Sequence, residues 1–124
     1  HEADNDTTVS LGGNDSGGWD FRAENAYADW TTVHGPYDSS AAITPFVQQR
    51  IAWAREMGKP IYVGERGWAT CSDQAMALFY TQAIDSAEQA GSIGFLAWAY
   101  AHSDTVNDCD LDFGPQSPVL EVFQ

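Results

Sequence analysis

Basic residues are the scarcest chemical class in this chain. Five Lys and Arg stand against eighteen Asp and Glu, for a net charge of −13 over 124 residues. A field of that sign repels polyanions, which excludes nucleic acids and anionic membrane surfaces as partners. The plain reading of the acid excess is solubility rather than a specific role for a cation. No apolar run approaches the ~20 residues of a membrane-spanning helix. Cysteine is limited to Cys71 and Cys109, without the Cys-x-x-Cys spacing of a metal site. The glycine-rich segment Gly12–Gly18 lacks the Lys and the following helix of a phosphate-binding loop. The acidic stretch around Asp108 fails the calcium-loop register, because the sixth and twelfth positions counted from it hold Phe113 and Val119. No metal or cofactor is implied. An initiator Met and a charged-then-apolar leader are also missing at His1, and the expectation is that a segment lies upstream.

What the chain has in abundance is aromatic surface. Five Trp, five Tyr and six Phe suffice for the core of one ordinary domain spanning residues 1–124, and aromatics also make sugar-stacking platforms. Two cysteines in an acidic, aromatic-rich chain fit one disulfide of a secreted protein, with two separate buried thiols as the alternative. Closing so long a loop would stabilise by roughly 3–4 kcal/mol in the chain-entropy picture.

The hydrophobic pattern alternates between strand and helix periods. Thr7–Leu11 and Trp30–His34 are β-rich runs, the second halted by Gly35-Pro36. Thr44-Pro45 predicts a helix start, with Phe46, Val47, Ile51 and Ala54 buried and a stop at Gly58. A strand over Ile61–Gly64 follows. Ser72-Asp73 opens a second helix that buries Met76, Phe79, Tyr80, Ala83 and Ala87 and ends at Gly91. A strand over Ile93–Ala99 comes next, and Ser117-Pro118 opens a last short helix. Strands alternating with helices of this length imply parallel strands joined by right-handed crossovers.

Glu65 closes the apolar run Lys59-Pro60-Ile61-Tyr62-Val63-Gly64 and is followed by Arg66-Gly67-Trp68. A carboxylate at the tip of a buried strand is costly unless paired or functional. Parallel barrels present catalytic groups in this way at their open face, so a glycosidase carboxylate is the first expectation. Residues two apart on a strand share a face. That parity groups Trp30, Thr32 and His34, then Ile61, Val63 and Glu65, then Gly94, Leu96 and Trp98. Arg66 falls on the opposite face from Glu65 and is expected to pack outside the barrel. Four βα units make half of an eightfold barrel, which typically needs about 250 residues.

The segment Lys59-Pro60-Ile61-Tyr62-Val63-Gly64-Glu65-Arg66-Gly67-Trp68 resembles the seventh-strand motif of retaining (β/α)8 glycoside hydrolases of the cellulase and mannanase type, family 5 and its relatives. Asp29–Tyr37 resembles their sixth-strand segment, Gly94–Tyr100 their eighth strand, and Thr7–Gly13 would be the fifth. The resemblance covers essentially the whole chain and implies an α/β fold, the C-terminal half of a (β/α)8 TIM barrel with four βα units and parallel strands. It implies Glu65 as nucleophile, His34 and Tyr37 beside the cleaved bond, and Trp98 as a sugar platform. It also places Cys71 and Cys109 in neighbouring loops at the catalytic face, where a disulfide would fasten the cleft.

Two departures stand out. His34 and Tyr37 are separated by Gly35-Pro36 where the family leaves one residue, and the Asn-Glu-Pro that carries the family's acid/base is absent. Glu24-Asn25 has the wrong order, and Glu2 lies ahead of the fifth strand, so neither substitutes for it. A retaining glycosidase needs two carboxyl groups, an ionised nucleophile and a protonated acid. General acid catalysis contributes ~10²–10⁴-fold, so the chain alone is expected to be nearly inert.

Each site residue has a structural alternative. Glu65 could pair with Arg66 or Lys59, His34 could be a satisfied strand-end histidine, and Trp98 could be core. Trp68 is either a rim platform or a loop anchor. Trp19, Trp30 and Trp53 read as packing residues, while His102 and Asp104 could line a cleft. The expected partners are a carbohydrate substrate and either an N-terminal half-barrel or a second copy. The function expected is hydrolysis of β-linked poly- or oligosaccharides by a secreted protein. A non-catalytic carbohydrate-binding or self-assembling half-barrel is the alternative.

Overall fold

A computed structural model of the protein describes residues 10–11, 20–35, 37, 39–101, 109 and 111–124. Four strands run parallel in sequence order: β1 (Ser10–Leu11), β2 (Trp30–His34), β3 (Ile61–Arg66) and β4 (Phe95–Ala97). Between them lie α1 (Phe21–Glu24) with a 3-10 turn at Asn25–Tyr27, α2 (Pro45–Glu56) and α3 (Asp73–Ala90); α4 (Val119–Val122) closes the chain. This is the expected α/β alternation. β3 reaches two residues past the expected Gly64, and β4 is shorter than the apolar run that suggested it. Residues 7–9 of the expected first strand lie outside the described residues.

The helix ends follow their local chemistry. Thr44 accepts a hydrogen bond from the Val47 amide ahead of Pro45, and Ser72 caps α3 through Ala75. Gly91 ends α3 with a positive φ of 105°, which glycine adopts without a Cβ penalty. α1 is an element that the strand and helix periods did not signal. Asp20 caps it by accepting from the Arg22 and Ala23 amides.

All the helices of the βα units pack on one face of the sheet. Ile61, Val63 and Val33 join Val47, Ile51 and Ala54 of α2 and Ala87 of α3 in one core, while Met76, Phe79, Tyr80 and Ala83 of α3 pack with Phe113 and Val119 in another. The five residues expected on the buried face of α3 are all buried. On α2, Phe46 is half-buried and Arg50 is buried instead, its guanidinium lying over the rings of Phe21, Phe46 and Trp53 at 4.7–5.2 Å.

Among the described residues the opposite face carries no helix. Trp30 packs on Tyr62 there, with ring centroids 4.8 Å apart, and Leu96 and Trp98 are 54% and 43% exposed. In a closed barrel this face would be the interior. β2 and β4 follow the expected parity, but β3 does not. Ile61 and Val63 face the helices, so they do not share a face with Glu65. The register explains the correction: Val33 pairs with Val63 and His34 with Glu65, and Val63 pairs with Phe95 and Arg66 with Ala97. β3 therefore carries one extra residue at Gly64, a bulge that resets its alternation just before the acid.

Candidate functional site

The bulge brings the tips of β2 and β3 together around one carboxylate. Tyr37 donates its hydroxyl to Glu65 Oε2 at 2.6 Å, and His34 Nδ1 lies 3.5 Å from the same oxygen. The His34 and Glu65 side chains are 25% and 31% exposed, so the group is sheltered yet open to a ligand. Among the described residues the partners of this carboxylate are thus a phenol and an imidazole, not a second carboxyl. A phenol at 2.6 Å fixes the plane of the carboxylate and leaves Oε1 to other chemistry.

Glycine makes this packing possible at two places. A Cβ on Gly64 would stand 3.1 Å from the His34 ring, and one on Gly67 would collide with the Trp98 carbonyl oxygen. Trp98 follows β4 directly. Its amide donates to Arg66 O at 2.9 Å, which sets the indole-bearing residue beside the strand end that carries Glu65. Its carbonyl accepts from the Tyr80 hydroxyl at 2.8 Å, and the Trp98–Ala99 peptide is cis. Tyr80 is fully buried among the rings of Phe79, Phe95, Phe113 and Phe123, and that burial pushes its phenol well above the ordinary range.

Arg66 packs where parity to Glu65 anticipated, on the helix side. It is buried, with its guanidinium 4.7 Å from the Phe79 ring centroid. Its Nη1 donates to Gly67 O, and its Nη2 donates to Ser39 O and Ala41 O in the loop that carries Tyr37. Sequence reasoning offered this side chain as packing outside the barrel or as an ion-pair partner of Glu65, not as an anchor of the Tyr37 loop.

Of the site residues expected from sequence, the structure brings His34, Tyr37 and Glu65 into one cluster and places the Trp98 main chain next to it. Trp68 is set apart: half-buried, it packs on Phe79 of α3 with centroids 5.8 Å apart. Trp53 packs on Phe21 in the core, as expected, whereas Trp30 lies on the open face of the sheet. Trp19, His102 and Asp104 lie outside the described residues. Cys71 and Cys109 form the disulfide, joining the loops after β3 and β4. Among the described residues no group of three or more His, Cys, Asp or Glu side chains is arranged to hold a metal ion. Nor is any described helix long and apolar enough to cross a membrane. The residues that sequence reasoning missed are Gly64, Gly67 and Tyr80. The available signal was the pair of glycines flanking Glu65-Arg66, which marks a backbone approached closely by other groups.

No protein-family model matches the chain, and no curated protein matches it in sequence. Among solved structures it is similar to the endo-β-1,4-mannanase from Thermotoga petrophila, with a TM-score of 0.56 and 20% identity over 77% of this chain and 24% of that one. It is likewise similar to a glycoside hydrolase family 5 mannosidase from Rhizomucor miehei, with a TM-score of 0.51 and 15% identity over 77% of this chain and 36% of that one. The chain thus spans between a quarter and just over a third of the length of these two enzymes. At such identities the likeness speaks for the fold, and that fold is part of a (β/α)8 barrel of the kind found in glycoside hydrolases.

Proposed function

We propose that this chain is the C-terminal half, strands five to eight, of a retaining (β/α)8 glycoside hydrolase acting on β-linked poly- or oligosaccharides. The observation that carries the reading is the aimed carboxylate: Glu65 at the tip of β3, with Tyr37 donating to its Oε2 at 2.6 Å and His34 Nδ1 lying 3.5 Å from the same oxygen. Glu65 Oε1 attacks the anomeric carbon, the bond to the leaving oxygen breaks, and that oxygen takes a proton from an acid/base carboxyl. Water, deprotonated by the same carboxyl, then attacks the anomeric carbon and releases Glu65. The acid/base must stand about 5–5.5 Å from Glu65, and it is assigned to the N-terminal half that completes the barrel. Trp98 offers the sugar platform at the exposed face. Trp68 serves packing first, with its remaining exposed edge at the rim of the cleft. The disulfide between two exposed loop cysteines favours an oxidising, extracellular setting.

The test is made on the complete barrel. Glu65→Gln should abolish turnover of β-1,4-mannan and β-1,4-glucan oligosaccharides while leaving the melting temperature close to wild type. A 2-deoxy-2-fluoro glycoside with a dinitrophenolate leaving group should label Glu65 covalently, detectable in its tryptic peptide. An unchanged rate, or label on a different carboxylate, sinks the assignment.

The open face favours one further reading, a sugar-binding module in which two copies close a barrel without catalysis. Trp30, Tyr62, Leu96 and Trp98 supply the apolar surface it requires. Its weakness is charge, since pairing two chains of −13 sets like fields against each other. It predicts sugar binding that is indifferent to Glu65→Gln, with no turnover.

A further inference from the structure

We propose that Arg66 is a positioning residue for the Tyr37–Glu65 pair, acting through the loop between β2 and α2. The proposal rests on the reading of Glu65 as nucleophile. Arg66 is 1% exposed on the helix side of the sheet, and a buried cation is unfavourable unless its hydrogen bonds compensate. An apolar side chain would fill the same space against Phe79. What it could not supply is the fork: Nη1 to Gly67 O at 2.7 Å, and Nη2 to Ser39 O at 2.9 Å and Ala41 O at 2.7 Å.

Those bonds hold the far end of the Tyr37 loop. Its near end is held by β3 as well, because the Gly35 amide donates to Glu65 O at 2.8 Å. Gly35 also lies so close to the Arg66 stem that any Cβ there would collide with Arg66 Cδ. Tyr37 sits between the two anchors and reaches back to Glu65 Oε2. The adjacent residues Glu65 and Arg66 point to opposite sides of the sheet. One presents the carboxylate, and the other fixes the loop whose phenol aims it.

The experiment compares Arg66→Lys, Tyr37→Phe and the double variant in the complete barrel, using mannohexaose and cellohexaose as substrates. Lysine keeps the charge and most of the volume but loses the fork. Tyr37→Phe should lower kcat about ten- to hundredfold, the loss of one hydrogen bond to a charged group. Arg66→Lys should lower kcat roughly tenfold with KM within about twofold, as expected for a group that matters in the transition state. In the Tyr37→Phe background Arg66→Lys should then change kcat by less than about twofold. Hydrogen exchange in peptides covering residues 35–41 should accelerate in Arg66→Lys, with the rest of the sheet still protected. Full additivity of the two substitutions, or unchanged exchange in that loop, overturns the role of Arg66 while leaving the site intact. An unchanged kcat in Tyr37→Phe sinks the reading of the Glu65 site itself. If Arg66→Lys fails to fold, Gly35→Ala displaces the same guanidinium and must show the same selective fall in kcat.

Discussion

The disulfide gives the most quantitative prediction. Cys71 and Cys109 are 38 residues apart in sequence, and the bridge joins the loop before α3 to the loop after β4. In the chain-entropy account, opening a loop of that length returns about 13 cal/mol/K to the unfolded chain, or about 4 kcal/mol at 25 °C. A folded unit of this size unfolds with roughly 0.26 kcal/mol/K of entropy, so the paired substitution Cys71→Ser with Cys109→Ser should lower the melting temperature by about 15 °C. The consequence is local as well as global. Leu111 lies just past the bridge, accepts from the Ala99 amide at 3.3 Å, and would stand 3.1 Å from a Cβ on Gly67. Loosening Cys109 therefore frees the segment that packs behind Trp98 and the Glu65 strand end. Calorimetry on the oxidised protein and on the serine pair provides the assay. An entropic origin requires a lower midpoint with nearly unchanged unfolding enthalpy once both proteins are compared at one temperature through the heat-capacity change. A shift below about 5 °C would refute the reasoning, and so would a loss carried by enthalpy.

Further tests address the frame around Trp98. Gly67→Ala drives a Cβ into the Trp98 carbonyl, a backbone atom that cannot swing aside. It should destabilise by about 1–3 kcal/mol, and an unmoved urea midpoint would contradict the tight approach. Tyr80 holds its proton more firmly in the folded protein, because burial disfavours the phenolate. Its contribution is complete below about pH 10, where the unfolded phenol titrates. It is lost above that pH at up to about 1.4 kcal/mol per pH unit. Tyr80→Phe should flatten this alkaline slope while losing about 1 kcal/mol at neutral pH with the bond to Trp98 O. Equal slopes in both proteins would show that the phenol ionises without unfolding.

Much of the frame was legible because helix and strand periods are local. On α3, Met76, Phe79, Tyr80, Ala83 and Ala87 recur at helical spacing, and all are buried. Thr44-Pro45, Ser72 and Gly91 mark helix ends by chemistry contained within a turn. Arg50 was less legible, since its burial depends on Phe21 arriving from another element. Phe46 and Trp53, four residues before it and three after, were the local hint. α1 was missed because a four-residue helix shows too little period to detect, leaving only the Asp20 cap as a signal.

The site tested sequence reasoning most severely at Gly64. Strict alternation puts Ile61, Val63 and Glu65 on one face, and by that rule an acid facing the open side would have turned Ile61 and Val63 away from α2. The core needs those two side chains against the helices, while the acid is found against His34 on the other side. One extra residue in β3 reconciles the two demands. Gly64 suits it because a side chain there would press on the His34 ring. The bulge also gives Arg66 its place on the helix side, where it reaches Ser39 and Ala41. A glycine ahead of a charged pair at a strand tip is visible in sequence. Register against two neighbouring strands is not, because it is set by pairings with Val33, His34, Phe95 and Ala97, about thirty residues away on either side. A carboxylate at the tip of β3 was therefore visible in local sequence, and the direction its side chain takes only in the assembled sheet.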